Sequence, residues 1–228
     1  MSRIRTTSTA VALLLTAGIP AGMATAKQPP KPPKPVAGQL TLAAAPNPIN
    51  FGGSTTLTGK LAGGQAGGQT VVVEANPAPF TAFRQIATVT TNANGTYAAT
   101  VKPGVITRYR VTAKTAPPTV SGEVAVGVRI RVGLILGDAT PRRGTRVVFS
   151  GRAYPAHDGA LVSIRKRSST GSYVTIARTR LLDDGSARSR YSRAVRIARS
   201  GVYQVRVSNN GPADHLAGIS RARRITVH

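Results

Sequence analysis

The sequence predicts an all-β chain of two tandem antiparallel β-sandwiches, set behind an export signal and a proline-rich spacer. Three observations carry that expectation. Short runs of Val, Ile, Thr and Tyr alternate with Gly, Pro, Asn or Asp at a spacing of about 8–12 residues, the rhythm of a sandwich. The body of the chain repeats itself in four ordered blocks and a matching last strand. No window carries a sustained 3.6-residue apolar period, so little helix is expected.

Residues 1–26 read as the export signal. Arg3 and Arg5 supply a positive end, Ala10 to Ala17 an apolar stretch, and Ala24-Thr25-Ala26 a small-x-small cleavage pattern. The apolar stretch is too short for a spanning helix, so no transmembrane segment is expected in the mature chain. Residues 27–38 (KQPPKPPKPVAG) hold Pro and Lys with almost nothing that could enter a core. Proline fixes φ and removes backbone donors, so an extended spacer is expected. At about 3.1 Å per residue it would hold the body roughly 35 Å from the amino terminus.

The repeat occupies the rest. Gly52–Gly59 (GGSTTLTG) matches Gly144–Gly151 (GTRVVFSG). Gly68, Val71 and Val73 match Gly159, Val162 and Ile164, and Phe83–Gly95 matches Tyr173–Gly185. Tyr109-Arg110-Val111 matches Tyr203-Gln204-Val205, and the strand from Ser121 matches the one from Ser220. Length differences fall between these blocks, where loops absorb them. The expected boundaries are 39–131 for the first copy and 132–228 for the second, Arg-rich copy. Glu123 to Val132 should form the last strand of the first copy and lead almost directly into Gly133–Leu136. A short junction predicts a stiff rod.

The Gly-Gly-Ser-Thr-Thr-Leu-Thr-Gly block, the Thr91–Tyr97 hairpin (TNANGTY) and Thr107-Arg108-Tyr109-Arg110-Val111 resemble the bacterial immunoglobulin-like domains found in tandem on secreted actinobacterial proteins. The resemblance covers nearly all of residues 39–228. It implies a fold, with extracellular spacer, adhesion or interaction roles, and no activity. The second copy departs from the hairpin pattern at Leu181–Ala187. In immunoglobulin domains a tyrosine at the start of one strand lies two residues before a disulfide cysteine. Here Val111 and Val205 hold that offset, so Leu57–Val111 and Phe149–Val205 are expected to pack in place of a bridge.

Charge is unevenly spread. The chain carries 31 Lys plus Arg against 7 Asp plus Glu. Residues 39–123 hold six basic and two acidic side chains, whereas residues 124–228 hold twenty basic, nineteen of them Arg, and five acidic. Arginine suits oxyanion recognition through its planar, bidentate fork. A three-residue loop at Asp183-Asp184-Gly185, with Gly185 left-handed, would pair Arg180 with Arg188 and Arg178 with Arg190 on one face. That ladder is the candidate anion site, and it repels itself without counter-ions. Ile176 and Ile86 then point outward unless a bulge shifts their strands. The partner is left unknown, with an anionic cell-envelope polymer as the candidate class of the alternative reading. Sequence-specific nucleic acid is disfavoured, because aromatics are 4% and Trp is absent. The favoured reading of the charge itself is a solvated, Arg-biased surface.

No catalytic set is legible in the sequence. Cysteine is absent, which removes disulfides, thiolate ligands and thiol nucleophiles together and, for an exported chain, suggests a bacterial rather than an animal origin. His157, next to Asp158, and Asp214-His215 sit in loop-like stretches, and their spacing suggests no metal site. Asp183-Asp184 reads as turn chemistry. There is no phosphate-binding Gly-Lys-Ser/Thr loop and no Gly-x-Ser-x-Gly elbow. A secreted or loosely wall-associated, non-catalytic protein without cofactors is the resulting expectation.

Overall fold

Alternation of buried and exposed β-branched residues at period two makes strands wherever turn residues allow it. The computed structural model describes residues 38–64, 66–208 and 213–228. The expected export signal and all of the Pro/Lys-rich spacer except Gly38 lie outside the described residues.

The first copy contributes β1 (Gln39–Leu40), β2 (Ala43–Ala45), β3 (Ile49–Asn50), β4 (Thr55–Ala62) and β5 (Thr70–Pro77). It continues with β6 (Arg84–Thr90), β7 (Thr96–Val101), β8 (Thr107–Ala113), β9 (Thr119–Val120) and β10 (Val124–Val126). Strand β4 pairs antiparallel with β1, β2 and β7. Strand β8 pairs antiparallel with β5, β9 and β10, and β5 with β6. Leu57 and Leu61 from the first sheet meet Val71, Val73, Tyr109 and Val111 from the second in one buried cluster. Two sheets therefore face each other over a single core.

The second copy repeats the plan. After β11 (Val128–Arg129) come β12 (Arg131–Val132), β13 (Ile135–Leu136), β14 (Arg146–Tyr154), β15 (Leu161–Arg167) and β16 (Tyr173–Arg180). Then follow β17 (Leu182–Ser186), β18 (Arg188–Arg196), β19 (Gly201–Ser208), β20 (Gly218–Ile219) and β21 (Arg223–Ile225). Strand β14 pairs with β12, β13 and β18, while β15 lies between β16 and β19. Phe149 and Val205 are fully buried in this second cluster, and the Phe149 ring lies 5.6 Å from that of Tyr203. Leu57 and Val111 are equally buried in the first. All four expected bridge-replacing residues thus lie in the cores.

The correspondence reaches single atoms. Matched glycines share positive φ: Gly52 and Gly144 at 83°, Gly68 at 71° and Gly159 at 77°, Gly95 at 81° and Gly185 at 64°. The bulges left open for Ile86 and Ile176 are present, since each pairing register slips by one residue at that point. Both side chains stay partly exposed there. Ser121 and Ser220 each accept a backbone N–H through Oγ, from Val111 at 3.0 Å and Val205 at 2.9 Å. Tyr97 donates its hydroxyl to the Thr41 carbonyl, and Tyr191 donates to the Gly133 carbonyl at 2.7 Å. Gly59 and Gly151 make room: a Cβ at either would collide with that carbonyl and with the tyrosine ring.

Two expectations are corrected. The Thr91–Tyr97 and Leu181–Ala187 blocks do not join neighbouring strands of one sheet. Strands β6 and β16 belong to one sheet of each pair, and β7 and β18 to the other. The cause is a buried residue at the crossing. Thr91 is 4% exposed, donates to the Ala66 carbonyl at 2.6 Å and accepts from Gln69 N–H. Leu181, at the matching position, is 1% exposed in the second core. Second, the stretch from Glu123 to Val132 is not one strand. β10 pairs with β8, β11 runs parallel to β3, and β12 already pairs with β14. The buried clusters change over between Val128 and Ile130.

Candidate functional site

The sheet change divides the four arginines expected on one ladder. Arg178 and Arg180 lie on β16, opposite Ser163 and Leu161 of β15. Arg190 lies on β18, opposite Arg152 of β14, and Arg188 pairs with Ser186. Arg180 does not face Arg188, and Arg178 does not face Arg190. The short connection expected at Asp183-Asp184-Gly185 is instead part of β17, although Gly185 does take the left-handed conformation.

Each half of the set finds new neighbours. On the β16–β15–β19 sheet, Ser163 is flanked in register by Arg178 and by Arg206 of β19. With strands about 4.8 Å apart, the two arginine backbones stand roughly 10 Å apart across the serine. Arg180 lies one repeat further along the same strand face, and Arg165 lies on β15. Arg178, Arg180 and Arg206 are exposed, and among the described residues none of the three pairs with a carboxylate. Arg180 donates to the Gly159 carbonyl at 2.7 Å, and Arg165 to the Tyr173 carbonyl at 2.7 Å. Those bonds orient the guanidiniums without neutralising them.

The β14–β18 sheet is different because it holds its own anion. Asp184 receives Arg188 Nε at 2.6 Å and Arg152 Nε at 3.1 Å, with Arg190 Nε at 3.7 Å from its other oxygen. The hydrogen bond from Arg188 chiefly holds the Asp184 carboxyl below the usual carboxylate range, opposed in part by desolvation. Arg131 stacks 4.6 Å over the Tyr154 ring beside this group. One carboxylate among several guanidiniums leaves the patch positive and internally tied. Asp183 does the expected turn work, its Oδ1 accepting from Gly185 N–H at 2.8 Å.

A second constellation joins residues that the sequence reading kept apart. His157, in the β14–β15 loop, and Asp214 and His215, after β19, bring three ligand-type atoms within 4.8 Å of one another. His157 Nε2 lies 3.9 Å from Asp214 Oδ1, and His215 Nδ1 lies 3.3 Å from the same oxygen. The two imidazoles meet edge to face at 5.0 Å. Spacing along the chain could not reveal this, since 57 residues separate the first member from the second. The sandwich topology could have: loops of this type gather at one end of a two-sheet fold.

That end abuts the first copy. His215 is 6% exposed and its Nε2 bonds the Gly104 carbonyl at 2.7 Å. Ile106 N–H donates to the Asp214 carbonyl, Ile130 N–H to the Leu216 carbonyl, and Leu216 N–H to the Val128 carbonyl. Among the described residues no helix is long and apolar enough to cross a membrane. The molecule is an all-β scaffold of face-to-face antiparallel sheets that presents basic faces. Neither a protein-family model nor a curated protein matches the chain.

Proposed function

We propose that this chain is an exported, non-catalytic interaction protein built of two immunoglobulin-like modules that act as a stiff spacer at a bacterial surface. The observation that carries the reading is the junction. The 213–216 segment bonds to Gly104 and Ile106 on one side and to Val128 and Ile130, at and just after β11, on the other. Rotation between the copies would break these bonds together. Support for the immunoglobulin-like assignment comes from sheet membership and from Tyr203, whose hydroxyl bonds the Arg199 carbonyl four residues upstream at 3.1 Å, as in a tyrosine corner. The test is 15N relaxation on the two copies in one chain. A common rotational correlation time is expected; two independent values would overturn the spacer reading.

The unneutralised arginines of the β16–β15–β19 face favour a second reading, capture of an anionic envelope polymer. Phosphate or carboxylate groups would relieve the repulsion between neighbouring guanidiniums and gain charge-assisted bonds. Retention on immobilised polyphosphate should be strong at low salt and fall steeply as salt rises. Absence of retention at low salt would remove this reading.

A further inference from the structure

We propose that His157 Nε2, His215 Nδ1 and Asp214 Oδ1 form a binding site for a borderline divalent cation, Zn²⁺ foremost, at the seam between the two copies. This inference does not depend on the polyanion reading. Its first support is convergence: the three atoms lie within 4.8 Å of one another, on loops 57 residues apart. Tetrahedral ligands about 2.0–2.2 Å from zinc stand roughly 3.3 Å from one another. The Asp214–His215 separation of 3.3 Å already meets that; His157 must close on Asp214 from 3.9 Å and on His215 from within 4.8 Å, a movement of at most about 1.5 Å.

The second support is the hydrogen bonding behind the ligands. His215 Nε2 lies 2.7 Å from the Gly104 carbonyl, and His157 Nδ1 lies 3.1 Å from the Pro155 carbonyl. A carbonyl only accepts, so those nitrogens carry the protons. In the neutral rings the lone pairs then sit on His157 Nε2 and His215 Nδ1, the two nitrogens turned toward Asp214. Backbone carbonyls fixing the far nitrogen of each imidazole are the usual outer support of a histidine–metal site. Two imidazoles with one carboxylate suit zinc and its first-row neighbours better than Ca²⁺ or Mg²⁺, which prefer all-oxygen shells. Water would complete the coordination.

The consequence is mechanical. His215 reaches Gly104 of the first copy and packs 5.9 Å from the Phe51 ring, while His157 belongs to the β14–β15 loop. A bound ion would tie that loop to the segment that bridges the copies.

The experiment is thermal unfolding of the 228-residue chain, metal-free and with Zn²⁺ at about 100 times its dissociation constant, beside His157→Ala, Asp214→Asn and His228→Ala. A rise in midpoint of about 5–10 °C is expected for the parent and for His228→Ala. Loss of either ligand should weaken binding by at least about 100-fold and abolish the rise. Co²⁺ in place of zinc should give the visible absorption of a tetrahedral nitrogen–oxygen site in the parent, a readout that does not require the variants to fold. No zinc-dependent rise and no such absorption in the parent would overturn the proposal. So would a rise that survives in both ligand variants. If Asp214→Asn lowers the metal-free midpoint while zinc leaves the parent unchanged, the carboxylate serves an imidazolium instead, and the metal site is likewise rejected.

Discussion

Set in register, the two copies keep most inward positions apolar and exchange the outward residues. Leu57 answers to Phe149, Tyr97 to Tyr191, Val111 to Val205, and each is buried. On the outer face, Thr88, Thr90 and Thr112 of the first copy stand where the second has Arg178, Arg180 and Arg206. Glu74 stands where the second copy has Arg165, and in the first copy it accepts two bonds from Arg110, at 3.0 and 3.1 Å. One copy neutralises its face internally and the other leaves it charged. Folding constrains the inward set, because a lost core contact costs kilocalories. The outward set is free to be spent on a surface property.

The largest test of that division lies in the cores. Phe149→Ala should cost about 3–5 kcal/mol and Leu57→Ala about 2–5 kcal/mol by urea unfolding. A negligible loss at either would break the equivalence. Next come the glycines beneath the tyrosine locks. Gly59→Ala and Gly151→Ala should each cost about 1–3 kcal/mol, because a backbone carbonyl and a buried tyrosine ring stand in the way. Tyr97→Phe and Tyr191→Phe should cost less, about 1 kcal/mol each, by leaving a carbonyl without its donor. Unequal losses within either pair would show that the locks differ despite their shared geometry.

The smallest effect expected is on pH. Hydrogen bonding from Arg110 lowers the Glu74 carboxyl in the first copy, and hydrogen bonding from Arg188 lowers Asp184 in the second. A lowered folded-state value means that the unfolded chain binds the proton more readily. Stability from these groups is therefore complete above the ordinary carboxylate range and is lost as pH falls through the depressed folded values. Glu74→Gln should flatten the acid side of the thermal midpoint curve, and Asp184→Asn should do the same. A curve steepened by either change would contradict the pairing.

Much of this arrangement is written in the chain. The left-handed Gly185 and the choice between outward Ile86 and Ile176 or a bulge follow from alternation and turn chemistry, which are local, whereas the buried Leu57–Val111 and Phe149–Val205 sets rest on the resemblance to immunoglobulin domains. The change of sheet is not local. Thr91 and Leu181 look like strand-end residues until the other sheet is in place to bury them, so the hairpin reading placed four arginines on one ladder. The histidine cluster is further out of reach, since it depends on which loops meet at the seam. Arg193 shows the reverse case. Its register opposite Phe149 points inward, yet its side chain is exposed, as a long stem carrying its charge back to water permits.

The most direct test of the charged-face account is the salt dependence of polyphosphate binding. It should be measured for the parent, for Arg178→Ser with Arg180→Ser and Arg206→Ser, and for Arg152→Ser with Arg190→Ser. The triple variant should bind far more weakly, with a log–log salt slope shallower by about 2. The double variant should lose less, because Asp184 already occupies its arginines. Binding by the triple variant that keeps the parent's slope would contradict the account.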